Sequence, residues 1–403
     1  LPATFALVGL VIWWVSRAYN EVSSADLGLA YEGGVVAWAT GHPEHLNTWI
    51  STPFLGAVMA TVTRLVSVRV AADLITTLNL ALVVGAATVT LKRLHGRVRP
   101  WAWWLAALAM LSFGPMMSSV WWKQFNLIAL VAALLGFDFL RRRRPRAGAA
   151  LIGFSVAVKP LAIVLPFVLL ARRETRRAGL IALGWLIALN VMAQGFMAER
   201  AGSLSTLNLL PVLRNFAEKS KPENSWACHP ENFAPGSLLC RLAGSQNWNV
   251  QHVIVWAGVA LLSMWVAGAL RGYKMISWEV FAFSCAISTM ISPIAWDHYQ
   301  VMLAPLFVLL LVRMTTDGSL LGTWCGLVVA FGLASLMWQP FGTSIGALRH
   351  VADGSAQTQR ALFSIAAVAQ FAQYILVLTG VVWYLQARVT APRGRRYETP
   401  VGI

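Results

Sequence analysis

Asp26, Lys159 and the run Trp296-Asp297-His298-Tyr299 place groups able to do chemistry beside long apolar stretches. A carboxylate at Asp26 could take a proton from a hydroxyl, needing only hydrogen-bond reach and a suitably tuned pKa. It could equally cap the apolar helix that opens Leu27-Gly28-Leu29-Ala30-Tyr31, because Asp accepts from free backbone N–H groups at a helix start. The two uses are compatible. Lys159 precedes Pro160 between two apolar segments, and an ammonium there is costly in hydrocarbon. It must reach a water-filled cavity or an anionic partner, or else snorkel to the surface. His298 can donate a hydrogen bond to phosphate. The same Trp-Asp-His-Tyr run can also serve as an interfacial aromatic anchor with a polar rim. Lys123-Gln124-Phe125-Asn126 is a third polar group at a helix mouth, where amides cap a helix or bind a sugar. No HExxH, no Cys/His ligand set and no Asp-x-Asp pair is present, so no metal ligands and no obligatory cofactor are expected. His42 and His45, with Pro43 between them, read as a loop-surface pair.

The elements that position these groups are membrane segments. Of 403 residues, 58% are hydrophobic and 12% charged, and a run of about 20 apolar residues spans a bilayer core. The expectation is an all-α, polytopic transmembrane helical bundle forming a single domain over 1–403. Its segments number about twelve. They run near 3–19, 68–91, 101–119, 125–140, 148–158, 160–171, 178–197, 251–270, 277–292, 300–313, 319–338 and 360–387. The first lacks the basic flank and small-residue cleavage site of a signal peptide, and reads as a transmembrane helix.

The formal charge of +16 would suit a nucleic-acid partner if it were spread over one surface. Instead it falls in short clusters at helix ends. These are Lys92/Arg93/Arg97/Arg99, Arg141 to Arg144 with Arg146, Arg172/Arg173/Arg176/Arg177, Arg271/Lys274, and Arg388/Arg393/Arg395/Arg396. With twelve segments all of them fall on one side, as the positive-inside rule requires of the cytoplasmic face. Both termini are then cytoplasmic, in a multi-pass plasma-membrane protein. The 19 tryptophans fit interfacial belts.

The opposite face carries two long loops, 20–67 and 198–250. Within the first, 27–39 and 53–67 are short and apolar, and read as helices along the interface. Cys228 and Cys240 lie in the second loop and could pair if it meets an oxidising compartment. Cys285 and Cys325 lie in apolar runs and read as packing residues.

These pieces, in order, resemble the family-87 glycosyltransferases of the GT-C class. That family includes polyprenyl-phosphate-mannose-dependent mannosyltransferases and related arabinofuranosyltransferases of actinobacteria. The resemblance runs from Ala25-Asp26-Leu27 with Tyr31, through Thr52-Pro53-Phe54 and Lys123-Gln124-Phe125-Asn126-Leu127, to Val158-Lys159-Pro160. It continues loosely at Asn232 to Ser237 and most closely at Ser292-Pro293-Ile294-Ala295-Trp296-Asp297-His298. Three departures touch the substrate side: Trp49-Ile50-Ser51-Thr52 replaces the usual aromatic-rich approach to Pro-Pro, Lys123 stands where Gly is usual, and Tyr299 where a second His is frequent.

The resemblance implies a transferase on the outer face, moving a sugar from a polyprenyl-phosphate donor to a glycolipid or lipoglycan acceptor with inversion. It makes Asp26 the general base and puts His298 and Lys159 on the donor phosphate. It lines the sugar pocket with Gln124 and Asn126, with Lys123, Tyr31 and Trp296 as further substrate contacts. Mannose is the expected sugar, with arabinose the alternative. A flippase for a lipid-linked sugar would favour inverted repeats and charges at the midplane. Here no repeat stands out and the charges sit at the outer mouths.

Overall fold

The structure, a computed structural model, describes residues 25–42, 51–94, 113–171, 173–202, 277–291 and 297–309, with isolated positions 12, 15, 16, 18, 19, 45 and 110. Every element among them is helical. They are α1 (Ala25–Thr40), α2 (Pro53–Leu65), α3 (Val68–Leu94), α4 (Gly114–Trp121), α5 (Asn126–Arg141), α6 (Pro145–Val158), α7 (Val164–Leu170), α8 (Arg173–Ala201) and α9 (Trp278–Ile291). Short 3₁₀ helices cover Pro160–Ala162 and Asp297–Leu303, the second running on as α-helix through residue 309. The segments expected at 251–270, 319–338 and 360–387, the one at 3–19 apart from those isolated positions, the loop 198–250 beyond residue 202, and Cys228, Cys240 and Cys325 lie outside the described residues.

Among the described residues, two helices are long and apolar enough to cross a membrane, Val68–Lys92 and Arg173–Arg200. Neither is a buried core helix. α8 turns Leu180, Ile187, Val191 and Met192 outward, each more than half exposed, and α3 does the same with Leu74 and Val84. Continuous outward apolar faces of this size belong against lipid rather than water.

The helices stop where local chemistry stops them. Pro145 opens α6 at its first position, where a missing N–H costs nothing. Pro160 ends it, because proline excludes the α conformation at the residue before it. Lys159 is accordingly extended, at φ −150° and ψ 133°. α4 and α5 both end in a residue with left-handed backbone, Lys123 (φ 53°) and Arg143 (φ 59°). In each case the next residue's N–H reaches back five residues, Gln124 to Ser119 at 2.8 Å and Arg144 to Phe139 at 2.9 Å. This Schellman closure satisfies carbonyls that a helix end leaves open.

α5 and α6 form a hairpin in which Gly136 and Gly148 face each other. A Cβ on Gly148 would sit 2.5 Å from the Gly136 carbonyl oxygen, so the backbones approach as small residues allow in membrane helices. α6 packs in turn on α8, with Gly153 against Ala182. That register brings the starts of α6 and α8 level, so Arg141–Arg146 and Arg173–Arg177 share one end of the bundle. Lys159 lies at the other end of α6, about 20 Å away at 1.5 Å per residue. The core between them is apolar and aromatic, with Phe137 on Phe281 (4.9 Å) and Phe113 on Phe307 (5.3 Å). α9 is buried through it at Val280, Phe281, Ala282, Phe283, Cys285 and Ala286.

Candidate active site

The end of the bundle opposite the arginines is assembled around a small apolar cluster. Leu27, Leu55, Met59, Ala72, Ile75, Phe125 and Val158 are buried together there, with Tyr31, Phe54 and Phe154 packed against them. Leu27 follows Asp26, Phe125 separates Gln124 from Asn126, and Val158 precedes Lys159. One cluster therefore gathers the backbones of segments far apart in sequence.

The α2 segment is tied in by its cap. Thr52 Oγ1 accepts the Leu55 N–H at 3.2 Å, while its own hydroxyl donates to the Ala157 carbonyl, two residues before Lys159. The Phe54 N–H donates to Asn190 Oδ1 of α8 at 3.2 Å. Thr52 and Asn190 were not among the expected site residues. An amide on the apolar stretch of α8 was the available signal for Asn190, because such a group must find a partner.

Lys159 is buried, and its ammonium donates to the Tyr299 hydroxyl at 3.0 Å, with Nζ 4.5 Å from the centre of that ring. Among the described residues no carboxylate pairs with it. An ammonium carries three N–H donors, so the site retains positive charge and donor capacity suited to an anion. Of the three fates open to this lysine, snorkelling to the surface is excluded by its burial. The contact also brings the 3₁₀ helix of Asp297–Leu303 to the break between α6 and α7. His298 therefore stands one residue from Lys159's partner along that helix. Trp296 lies outside the described residues.

Lys123, Gln124 and Asn126 are all buried. Lys123 Nζ donates to the Ala18 carbonyl at 3.2 Å and lies 3.5 Å from that of Trp121. The turn is pinned by Asn79 of α3, whose Nδ2 donates to the carbonyls of Ser119 at 3.2 Å and Gln124 at 3.0 Å. Asn79 is another amide in an apolar helix, and the sequence expectations did not include it. Asp26 lies inside α1 rather than at a flanking cap position. The Tyr31 hydroxyl donates to the Val66 carbonyl at 2.9 Å, holding the end of α2. His42 and His45 stack on each other with ring centres 4.7 Å apart.

An amide-lined turn, a buried lysine beside a tyrosine, and an acidic helix start around one cluster suit recognition of a sugar and its phosphate. The model of glycosyltransferase family 87 matches residues 49–293. A polyprenol-phosphate-mannose-dependent alpha-(1-2)-phosphatidylinositol mannoside mannosyltransferase of Mycolicibacterium smegmatis is 25% identical over 342 residues, covering 77% of this chain and 74% of that protein. No solved structure matches. With the family match spanning more than half of its length, the chain belongs to glycosyltransferase family 87 and is a membrane glycosyltransferase.

Proposed function

We propose that this enzyme transfers mannose from a polyprenyl-phosphate donor to a phosphate-bearing glycolipid on the outer face of the plasma membrane, with inversion at the sugar. The single observation that carries this reading is the gathering of the Asp26, Gln124/Asn126 and Lys159 segments on one apolar cluster, with Lys159 linked to the turn that bears His298. The relative's donor and acceptor supply the substrate classes.

Asp26 takes the proton from the acceptor hydroxyl as that oxygen attacks the anomeric carbon. The glycosidic bond to phosphate breaks in the same displacement, and the polyprenyl phosphate leaves with the bonding pair. Lys159 and His298 stabilise the charge growing on that phosphate, which is where fixed donors contribute most. Gln124, Asn126 and Lys123 belong to the sugar-binding turn, with Trp296 near the donor. Tyr31 contributes by setting the end of α2. These steps call on no obligatory metal.

The topology that goes with this mechanism has about twelve spans. Both termini are cytoplasmic, and the loops 20–67 and 198–250 lie outside. All of it forms one transmembrane domain.

The deciding experiment incubates purified full-length protein with labelled polyprenyl-phosphate mannose and a phosphatidylinositol mannoside. Glycolipid formation is expected, with the Asp26→Asn variant folding normally and losing ~100-fold or more of the rate. Near-normal turnover by Asp26→Asn would sink the assigned base. Transfer from polyprenyl-phosphate arabinose alone would move the enzyme to the arabinofuranosyl branch. Accumulation of lipid-linked sugar across vesicles without bond formation would replace transfer with transport.

A further inference from the structure

A cationic group at the ends of α1, α2 and α8 takes no part in the transfer steps above. Trp38, on the last turn of α1, has two guanidinium groups over its ring: Cζ of Arg200 lies 4.4 Å from the ring centre and Cζ of Arg64 4.8 Å. Arg200 also lies 5.5 Å from the ring of Phe196, which tilts against Trp38 at 6.2 Å. Ala37, Ala60 and Met197 are buried beneath them, so the platform is packed.

One arginine over an indole is an ordinary cation–π contact. Two on the same ring bring like charges together. Neither has a carboxylate partner among the described residues, and the adjacent Glu199 is exposed and pairs with neither. Each arginine lies in the last turn of its helix, where backbone carbonyls favour a cation. A helix end offers only about half a charge, screened at the surface, and does not neutralise a guanidinium. Both guanidiniums are solvent-exposed, so they stand open to an anion arriving from outside the bundle. Paired guanidinium forks match phosphate oxygens better than they match any single neutral acceptor.

Depth says which phosphate. The outward apolar stripe of α8 ends at Met192, and Arg200 lies ~12 Å further along the axis, on the side away from the basic clusters. An anion there, just past a lipid-facing stripe, is carried by a lipid headgroup. We propose that Arg64 and Arg200, carried on Trp38, clamp the phosphodiester of the acceptor lipid so that its distal sugar reaches Asp26. This rests on the transfer reading above. Trp38 and Asp26 share α1 and lie ~18 Å apart along its axis. The clamp thus selects acceptors whose headgroup already spans several sugar rings, and a bare phosphatidylinositol falls short.

The test uses full-length protein in nanodiscs and two acceptors, an oligomannoside on a phosphodiester-linked lipid and the same oligomannoside on a phosphate-free dialkylglycerol. The Arg64→Gln/Arg200→Gln double variant is expected to lower the ratio of kcat/KM for the first over the second about tenfold, through KM, as loss of charged hydrogen bonds implies. An unaltered ratio overturns the clamp, because a merely structural role harms both acceptors equally. Native mass spectrometry of the two lipids on wild type and variant reads the clamp without turnover. Equal retention by wild type and variant overturns it. Loss of bulk anionic phospholipid from the variant, with the acceptor ratio intact, gives the patch to the surrounding membrane and overturns the acceptor assignment. A wild type that retains the phosphodiester lipid selectively but transfers nothing defeats the transfer reading and leaves the clamp standing.

Discussion

At the scale of single residues, Lys159 and Lys123 show how differently two buried lysines are used. Lys159 is held by one hydroxyl and one ring face, both from Tyr299. Tyr299→Phe keeps the ring and removes the hydroxyl, leaving a buried ammonium short of a partner. A charged hydrogen bond contributes about 1.5–3 kcal/mol, so steady-state kinetics should show donor KM rising about tenfold or more. Tyr299→His should restore part of it, since an imidazole nitrogen can accept the same N–H. An unchanged donor KM in Tyr299→Phe would separate Lys159 from donor binding.

Lys123 occupies a backbone conformation that favours glycine, which explains why the family pattern has Gly there. Its side chain has been recruited to hold the carbonyl of Ala18. Lys123→Gly and Lys123→Ala both delete that bond, but only glycine relieves the left-handed strain. Thermal unfolding in detergent should therefore find the glycine variant more stable than the alanine variant by about 1 kcal/mol.

At the scale of elements, the site depends on close helix contacts and on caps. The Gly136/Gly148 contact sets how near α5 and α6 lie, and hence where Gln124/Asn126 and Lys159 stand relative to each other at their far ends. Gly148→Val places a side chain where the opposite carbonyl already is. Overpacking of this kind costs about 1–3 kcal/mol, so a lowered melting temperature is expected together with reduced transfer. A variant with wild-type melting would show that the helices separate without strain. Thr52→Val is the matching test at the cap. It keeps the shape but loses both the Leu55 cap and the bond to Ala157, and should destabilise by about 1 kcal/mol.

At the scale of the whole molecule, the arginine clusters predict orientation. The α5–α6 and α7–α8 turns share one end of the bundle, and the positive-inside rule assigns that end to the cytoplasm. In a background without the native cysteines, Arg143→Cys should resist a membrane-impermeant maleimide in intact cells, while Glu199→Cys should react. The reverse pattern would put the Lys159 site on the cytoplasmic face and refute an outer-face transferase.

Periodicity, charge clusters and proline placement were sufficient to draw α3, α5, α6, α8 and α9 to within a few residues, because a membrane leaves a helix little choice of length or sign. The short apolar stretches 27–39 and 53–67 likewise emerged as α1 and α2. The site motifs were legible as types of residue in order along the chain. Their convergence was not, because it depends on side chains far apart in sequence. Leu27, Phe125 and Val158 are ordinary apolar residues until folding buries them in one cluster. Tyr299 read only as a departure from a pattern until Lys159 was found against it. Asn79 and Asn190 announced that they needed partners without naming them. The sequence by itself determined a helical membrane protein, since hydrophobic length and charge sign are local properties, and its motifs in order carried the resemblance to family 87. Which groups meet, and that two arginines share one tryptophan, only the tertiary structure decided, since those contacts arise from helix packing across long separations in the chain.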